Sequence, residues 1–588
     1  MQNSSLKKLW NHLTSRRKKQ FLMLLILMFV ASLLEVVSVG AVLPFLGVLT
    51  APEQVYQHPL MQPLIQTLEL SAPSQLVLPL TILFISAALL AASIRLLLLY
   101  VMTRLSYATG ADLSINIYNL TLYQDYAIHV SRNSSEVING IISKTSQVVG
   151  GGISPVIQLI SSTILIVSIM GALLVIDTIL ALSSFIGIGL LYLGIIRYTG
   201  KQLKENSKII AEQSTQMIKS LQEGLGGIRD VLIDGSQEFY SQLYRSADLP
   251  MRRASGNNAF IGGGPRYVLE AVGMTLIAAF AYIMSHKEGG MATAIPVLGA
   301  LALGAQRLLP ALQQAYASFS SIRGVEASLK DVLDLLDQPL PEYVNQPSST
   351  PIPFEREIKL TNLSFRYIKE TPLVLENINL SIVKGERIGF MGVTGSGKST
   401  LLDIIMGLLP PTDGKLTIDQ KPLNSQNRRA WQAHIAHVPQ NIYLSDSTIE
   451  ENIAFGTPKE KIDHQRVKKV AKQAQIADMI EHLKDGYQTL VGERGVRLSG
   501  GQRQRINIAR ALYKKADVLI FDEATSALDS ATEQEVMKAI EGLGEKLTIL
   551  IIAHRLTTLK GCDRIVKFDK DNGFHVGSYQ DMVNASNY

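Results

Sequence analysis

Residues 392–400 read GVTGSGKST. Gly392, Gly395 and Gly397 alternate with Val393, Thr394 and Ser396, and the run closes on Lys398, Ser399 and Thr400. The strand-like RIGFM precedes it and the helix-like LLDIIMGLL follows. A strand, a glycine loop and a helix in that order make a phosphate cradle. The glycines let backbone N–H groups approach phosphate oxygens, and the helix N-terminus adds partial positive charge. Lys398 is expected to reach the outer phosphates and the Ser399 hydroxyl to ligate Mg²⁺. The surrounding domain is therefore read as α/β, with short β-branched strands alternating with helices around a largely parallel sheet.

Two more stretches share this half of the chain. VLIFDE (518–523) reads as a buried strand ending in two carboxylates. Asp522 suits the Mg²⁺ shell, and Glu523 is placed to polarise an attacking water as general base. LSGGQ (498–502) opens the helix-like RQRINIARAL, so Ser499, Gly500, Gly501 and Gln502 stand at another helix N-terminus suited to an anion.

With these three elements in this order, residues 358–570 resemble ATP-binding cassette (ABC) domains. The resemblance implies ATP as substrate, with Mg²⁺. It also implies that Tyr367 stacks on adenine and that Gln440, in VPQNIYL, contacts the metal. Asp529, in SALD, would sit at an interface between cassettes, and His554, in AHRL, would contact the γ-phosphate. VGERG (491–495) resembles an exporter-type segment. In this family the signature motif of one copy completes the ATP site of another, so the resemblance implies a homodimer.

The other half of the chain is built differently. Of the 588 residues 47% are apolar, the mean hydropathy is positive at +0.18, and the apolar residues concentrate in the first half. Six runs are long enough to cross a bilayer, at about 21–49, 76–103, 148–175, 178–198, 260–284 and 291–313. A very short turn around Asp177 joins the third and fourth, and SHKEGG joins the fifth and sixth. The N-terminus is rich in Lys and Arg, as is the stretch between spans four and five, whereas residues 50–75 contain none. Both termini are therefore expected in the cytosol. The formal net charge is +6, but these positions inform more than the sum. The single Cys562 excludes an intrachain disulfide framework. The first apolar run is too long for a cleavable signal peptide.

The expected organisation is an all-α six-helix transmembrane domain over 1–337, a Pro- and Ser-rich linker over 338–357 and an α/β P-loop cassette over 358–588. Residues 104–147 and 199–259 read as helical cytosolic extensions, with short coupling helices near 126–133 and 225–231. Residues 60–70, LMQPLIQTLEL, read either as a short helix on the outer membrane surface or as an ordinary loop.

Charges inside the spans bear on the cargo. At 1.5 Å per residue, Arg95, Arg266 and Arg307 fall roughly 28, 27 and 24 Å from the outer ends of spans two, five and six. Two readings stay open. Inner-edge arginines can snorkel to the interface, and Arg266 can pair with Glu270 one turn away. Intramembrane charges also mark substrate paths, and Arg suits bidentate phosphate binding. Glu35 lies near mid-membrane, roughly 21 Å along span one.

The order of six spans then cassette resembles exporters of the type IV fold. LEVVSVGAVLPF (34–45), GPRYVLEAVG (264–273) and AQRLLPA (305–311) resemble the bacterial lipid-linked oligosaccharide flippases of protein-glycosylation systems. That resemblance implies a polyprenyl-pyrophosphate-linked glycan flipped from the cytosolic to the periplasmic leaflet of the inner membrane, with Arg95, Arg266 and Arg307 on the pyrophosphate. Membrane lipids are expected partners and nucleic acid is not. The rival readings are an exporter of other lipids, amphiphilic drugs or peptides, and a membrane-anchored regulatory ATPase. The spans argue against a soluble DNA-repair or translation ATPase.

Overall fold

The computed structural model describes residues 2–50, 52–176, 178–285, 290–341, 344, 351–523, 528, 530–542, 547–553, 555–568 and 574–586. The turn at Asp177, residues 286–289 and residues 342–343 and 345–350 of the linker lie outside them. The chain divides into two compact units. One comprises Met1–Gln124 with Arg132–Pro339, and the other Asp125–Ser131 with Leu340–Tyr588.

The first unit is helical. Its first helix, α1 (Gln2–His12), is short, and α2 (Ser15–Gly40) is the first long one. Helix α3 (Val77–Leu122) is 46 residues long. At 1.5 Å per residue it measures about 69 Å, twice a bilayer core, so it continues well beyond the membrane. Helix α4 (Ser154–Ile176) is followed by α5 (Thr178–Gly226), α6 (Gln237–Gly263), α7 (Pro265–Ser285), α8 (Gly290–Gly324) and α9 (Glu326–Leu336). Among the described residues, Ser15–Ser38, Pro73–Leu122 and Ser134–Ala172 are long and apolar enough to cross a membrane. The remaining three expected spans fall on α5, α7 and α8, where many side chains lie outside the described residues.

Two expected spans are interrupted. The first breaks at Ala41, after which a separate helix runs Val42–Thr50. Pro44 lies in its first turn, where a missing N–H is tolerated. The fifth breaks at Gly264, because Pro265 cannot continue α6 and instead starts α7. Residues 52–76 are helical, in four short pieces. Ile65 and Leu76 there are buried with Val48 and Leu80. The run into α4 carries π-turns at Gly140–Lys144 and Val149–Ile153. Leu24 and Met28 of α2, Leu98 and Leu105 of α3, Ile157 of α4 and Leu333 of α9 share one buried cluster.

The second unit contains two sheets. Strands β1 (Glu357–Phe365), β2 (Leu375–Val383), β4 (Asp413–Ile418) and β5 (Lys421–Pro422) form an antiparallel sheet in the order β2-β1-β4-β5. The second sheet contains β3 (Arg387–Gly392), β6 (Ile435–Val438), β7 (Val518–Asp522), β8 (Thr548–Ile552), β9 (Arg564–Phe568) and β10 (Phe574–Gly577). Its order is β10-β9-β3-β8-β7-β6, parallel throughout except for β10. The parallel sheet agrees with the sequence reading; the separate antiparallel sheet is an addition to it. Strands β7 and β8 are almost wholly buried and β3 is buried over Ile388–Phe390, which explains their continuous apolar runs. They end together at Gly392, Asp522 and Ile552, and ligands of parallel sheets bind beyond such carboxyl ends.

Candidate functional site

The loop 393–397 turns out of β3 into a helix that begins at Lys398. Its three glycines are held by different constraints. Gly397 sits at φ 88°, and a Cβ on it would lie 2.7 Å from Leu375 Cδ2. Gly392 sits at φ 150°, and a Cβ on it would meet the Phe568 carbonyl oxygen at 2.8 Å. Both positions favour glycine in backbone and in space. Gly395 differs: its φ of 84° favours glycine, but a Cβ there would meet nothing within 4 Å. The open side of the loop therefore lies at Gly395, where a phosphate has room to approach the backbone. Lys398 is buried and its Nζ donates to the carbonyls of Gly392 and Val393 at 2.9 and 2.8 Å. Burial pushes its pKa down, and the neighbouring charges of Glu523 and Asp522 oppose that shift. The ammonium thus rests on loop carbonyls that a phosphate can replace.

Beside it, the Ser399 hydroxyl donates to Asp522 Oδ1 at 3.3 Å. Burial raises the Asp522 carboxyl above its ordinary range and the Ser399 hydrogen bond draws it back. A hydroxyl and a carboxylate at one point form the oxygen set that Mg²⁺ takes together with nucleotide phosphates. The next residue, Glu523, has a left-handed backbone at φ 51°. That conformation is costly for a non-glycine residue and recurs at functional sites. It turns the carboxylate so that Gln440 Nε2 donates to Glu523 Oε2 at 2.6 Å. Thr400 Oγ1 and the Tyr367 hydroxyl lie 3.0 Å apart, and the half-exposed Tyr367 ring packs edge-on against Phe365. Tyr367, residues 392–400, Gln440, Asp522 and Glu523 therefore lie together beyond the strand ends. Asp529 and His554 lie outside the described residues.

Ser499 to Gln502 form a separate structure. The Ser499 hydroxyl accepts from the Gln502 N–H at 3.3 Å, and the Ser499 N–H donates to Gln502 Oε1 at 2.8 Å. This capping box opens the 14-residue helix Gly500–Tyr513. The N–H groups of Gly500 and Gly501 remain at a positive helix end. Along the same helix, Arg510 donates to the carbonyls of Asn452 and Tyr443 and stacks over Phe455 at 4.5 Å. Burial lowers its pKa to about 10. Sequence reading misses Arg510, because nothing local distinguishes it from its basic neighbours.

The short helix Tyr126–Ser131 belongs to the cassette's compact unit. Arg428 donates to Asp125 at 2.5 Å just before it. Partial burial, with Asp403 and Tyr367 close by, pushes up the Tyr126 phenol. The second expected coupling helix lies three residues later than read, at Ile228–Ile233, because Gly227 ends the preceding helix.

In the membrane unit, Arg95 on α3 donates to Glu35 on α2 at 3.3 Å. Both line a cavity of about 320 Å³ with Ser32, Ser161, Gln306 and Gln314. Glu35 is buried, while the Arg95 side chain is 58% exposed. Arg266 does not line this cavity. It donates to Glu270 at 2.7 Å on an exposed face of α7. Among the described residues, Arg95 is the one arginine that lines the cavity. The turn at Gly264 places Arg266 in the first turn of α7, where its own helix supplies the partner. Arg307 lies on α8, but its side chain is outside the described residues.

A family model described as ABC transporter matches residues 375–526, and one described as ABC transporter transmembrane region matches residues 19–287. A protein of Saccharophagus degradans called ATP-dependent lipid A-core flippase is 31% identical over 479 residues, spanning 81% of this chain and 80% of its own length. The chain belongs to the ABC transporter family. A protein of the same name from Cupriavidus metallidurans is 27% identical across 82% of this chain and 81% of its own. A solved bacterial Atm1-family ABC exporter with ATP bound superposes with a TM-score of 0.79, covering 98% of this chain and 97% of its own at 22% identity. That likeness supports the fold. The chain is thus a membrane-spanning ABC exporter that uses ATP and Mg²⁺ and hydrolyses ATP. These relatives are named for lipid A-core; the sequence resemblance to oligosaccharide flippases is a finer reading than they support.

Proposed function

We propose that this ABC exporter is a flippase for a phosphate-bearing glycolipid, and specifically for a polyprenyl-pyrophosphate-linked oligosaccharide moved from the cytosolic to the periplasmic leaflet. The observation that carries the reading is Arg95 with Glu35 on the wall of a cavity of mixed polar and apolar lining among the spans. A guanidinium there is suited to a phosphate oxygen pair, and the hydroxyls and amides of Ser32, Ser161, Gln306 and Gln314 suit sugar hydroxyls. Arg266 and Arg307 would complete the headgroup contacts, with Arg266 exchanging Glu270 for the ligand.

In the cassette, Lys398 holds the outer phosphates, Ser399, Asp522 and Gln440 hold the metal, and Glu523 polarises the water. His554 would touch the γ-phosphate, and Asp529 the facing cassette. Residues 499–502 of a second copy would close each site, so the working unit is a homodimer. Bound Mg²⁺ neutralises developing phosphate charge. The protein sits in a bacterial inner membrane with both termini in the cytosol.

The names of the relatives favour a second cargo, a lipid A-core glycolipid, which is also an anionic phosphoglycolipid. Purified protein in proteoliposomes with fluorescent polyprenyl-pyrophosphate glycan, or with labelled lipid A-core, separates the two. The reading expects ATP-dependent inward-to-outward transfer of the polyprenyl glycan that is lost in Arg95→Ala. Transfer of lipid A-core alone would assign the second cargo. Transfer of apolar amphiphiles without phosphate, unaffected by Arg95→Ala, would overturn both.

A further inference from the structure

A second cavity in the membrane unit has almost wholly apolar walls. About 460 Å³ in volume, it opens between α1, α2 and α4. Its walls include Leu9, Trp10 and Leu13 at the N-terminus, Phe21 and Leu25 on α2, and Ile157 on α4. Lys18 is the one charged side chain among the described residues that line it. Leu6, Leu9, Trp10 and Leu13 recur at helical spacing, so α1 presents an apolar stripe to this space. Trp10 is 43% exposed and its ring lies 5.7 Å from that of Phe21.

Position and charge identify the occupant. The groove lies at the beginning of the first candidate span, Ser15–Ser38, and beside the part of Ser134–Ala172 that carries Ile157. An amphipathic helix with a tryptophan at the start of a span is suited to the interface plane of a bilayer. Water gains nothing from walls of leucine and isoleucine, whereas an acyl chain gains by removing them from water. Lys18 marks the polar mouth. Its Nζ is only 3.5 Å from the Asn11 carbonyl, a weak bond that a phosphate can replace. Nearby, Arg17 is bound to Asp112, and Lys8 and His12 to Asp337, so these basic groups are already committed within the fold. Lys7, Arg16 and Lys19 are exposed and add positive potential around the mouth.

We infer that this groove is a binding site for one anionic membrane phospholipid per chain, with an acyl chain against α1, α2 and α4 and its phosphodiester headgroup on Lys18. The site is separate from the Arg95 cavity, and the inference does not depend on what the transporter moves. A lipid there anchors α1 against the spans and makes the exporter sensitive to bilayer charge.

The test uses the full-length protein reconstituted in nanodiscs of equal palmitoyl-oleoyl phosphatidylglycerol and phosphatidylcholine, then released into detergent for native mass spectrometry. Wild type is expected to retain one lipid per chain, enriched severalfold in phosphatidylglycerol. Lys18→Gln is expected to retain a lipid but lose the enrichment. Val156→Phe, which fills the groove from α4, is expected to lose the lipid while basal ATPase activity reports an intact fold. Lys19→Gln, exposed and outside the groove, is expected to keep the lipid count and most of the enrichment. No enrichment in wild type, equal loss in Lys19→Gln, or an unchanged lipid count in Val156→Phe with normal ATPase would overturn the inference.

Discussion

Gln440 and Glu523 meet beyond the ends of two neighbouring strands: the amide Nε2 donates to the carboxylate at 2.6 Å. The bond links the residue placed to polarise water with the loop that follows β6. Removing the carboxylate should abolish general-base assistance, about 10²–10⁴-fold in hydrolysis rate. Glu523→Gln should therefore bind ATP normally and release almost no phosphate. Gln440→Ala, losing one hydrogen bond to a charged group, should cost about tenfold. Steady-state phosphate release beside ATP-binding measurements checks both.

The Arg95–Glu35 pair should behave as a unit. Glu35 is buried, so Arg95→Ala takes one cationic partner from its carboxylate, and breaking such a pair is strongly destabilising when both partners are buried. Because Arg95 is more than half exposed, the loss should fall below the roughly 3–5 kcal/mol of a fully buried pair. Arg95→Ala combined with Glu35→Gln should recover most of that loss. Thermal unfolding of the four proteins in one detergent measures the coupling. Additive effects would show that the pair is not a structural unit.

Asp125 and Arg428 tie the helix Tyr126–Ser131 into the cassette's unit. If that helix carries motion to the spans, Asp125→Arg and Arg428→Asp should each lower cargo-stimulated ATPase activity severalfold with basal hydrolysis retained. The double exchange should restore much of it. Absence of rescue would mean that the contact is only one of several fixing this helix.

His437 on β6 gives the cassette an acid limit. Burial lowers its pKa from 6.5 to about 4, and its buried Nε2 has no hydrogen-bond partner among the described residues. Above pH 6.5 it is neutral folded and unfolded, and contributes no pH dependence. As pH falls from 6.5 to 4 the unfolded state takes up the proton first and stability is lost, up to about 3 kcal/mol. His437→Gln should flatten the stability–pH curve over that window and leave its value near pH 8 little changed by titration. Denaturant unfolding between pH 4 and 8 measures this.

The nucleotide half is legible because its chemistry is carried by backbone. Gly392, Gly395 and Gly397 all have positive φ at fixed spacing, so their pattern survives in the string of letters. The long apolar runs are legible for a similar reason, since bilayer thickness sets their length. What escapes are relations between distant positions. Glu35 and Arg95 are 60 residues apart, and no local pattern says that the two face each other. Span breaks at Ala41 and Gly264 depend on proline placement within runs that hydropathy reads as continuous. The same break at Gly264 puts Arg266 beside Glu270 and away from the cavity that holds Arg95. The Ser499–Gln502 capping box is visible as a spacing, but the letters alone suggest only a helix end.

Transport itself is the central claim. Proteoliposomes containing wild type or Glu523→Gln, with a fluorescent polyprenyl-pyrophosphate glycan in the ATP-facing leaflet, report the fraction of label reaching the opposite leaflet. The account predicts ATP-dependent transfer by wild type and none by Glu523→Gln. Hydrolysis of ATP by wild type with no transfer of the glycolipid would contradict it.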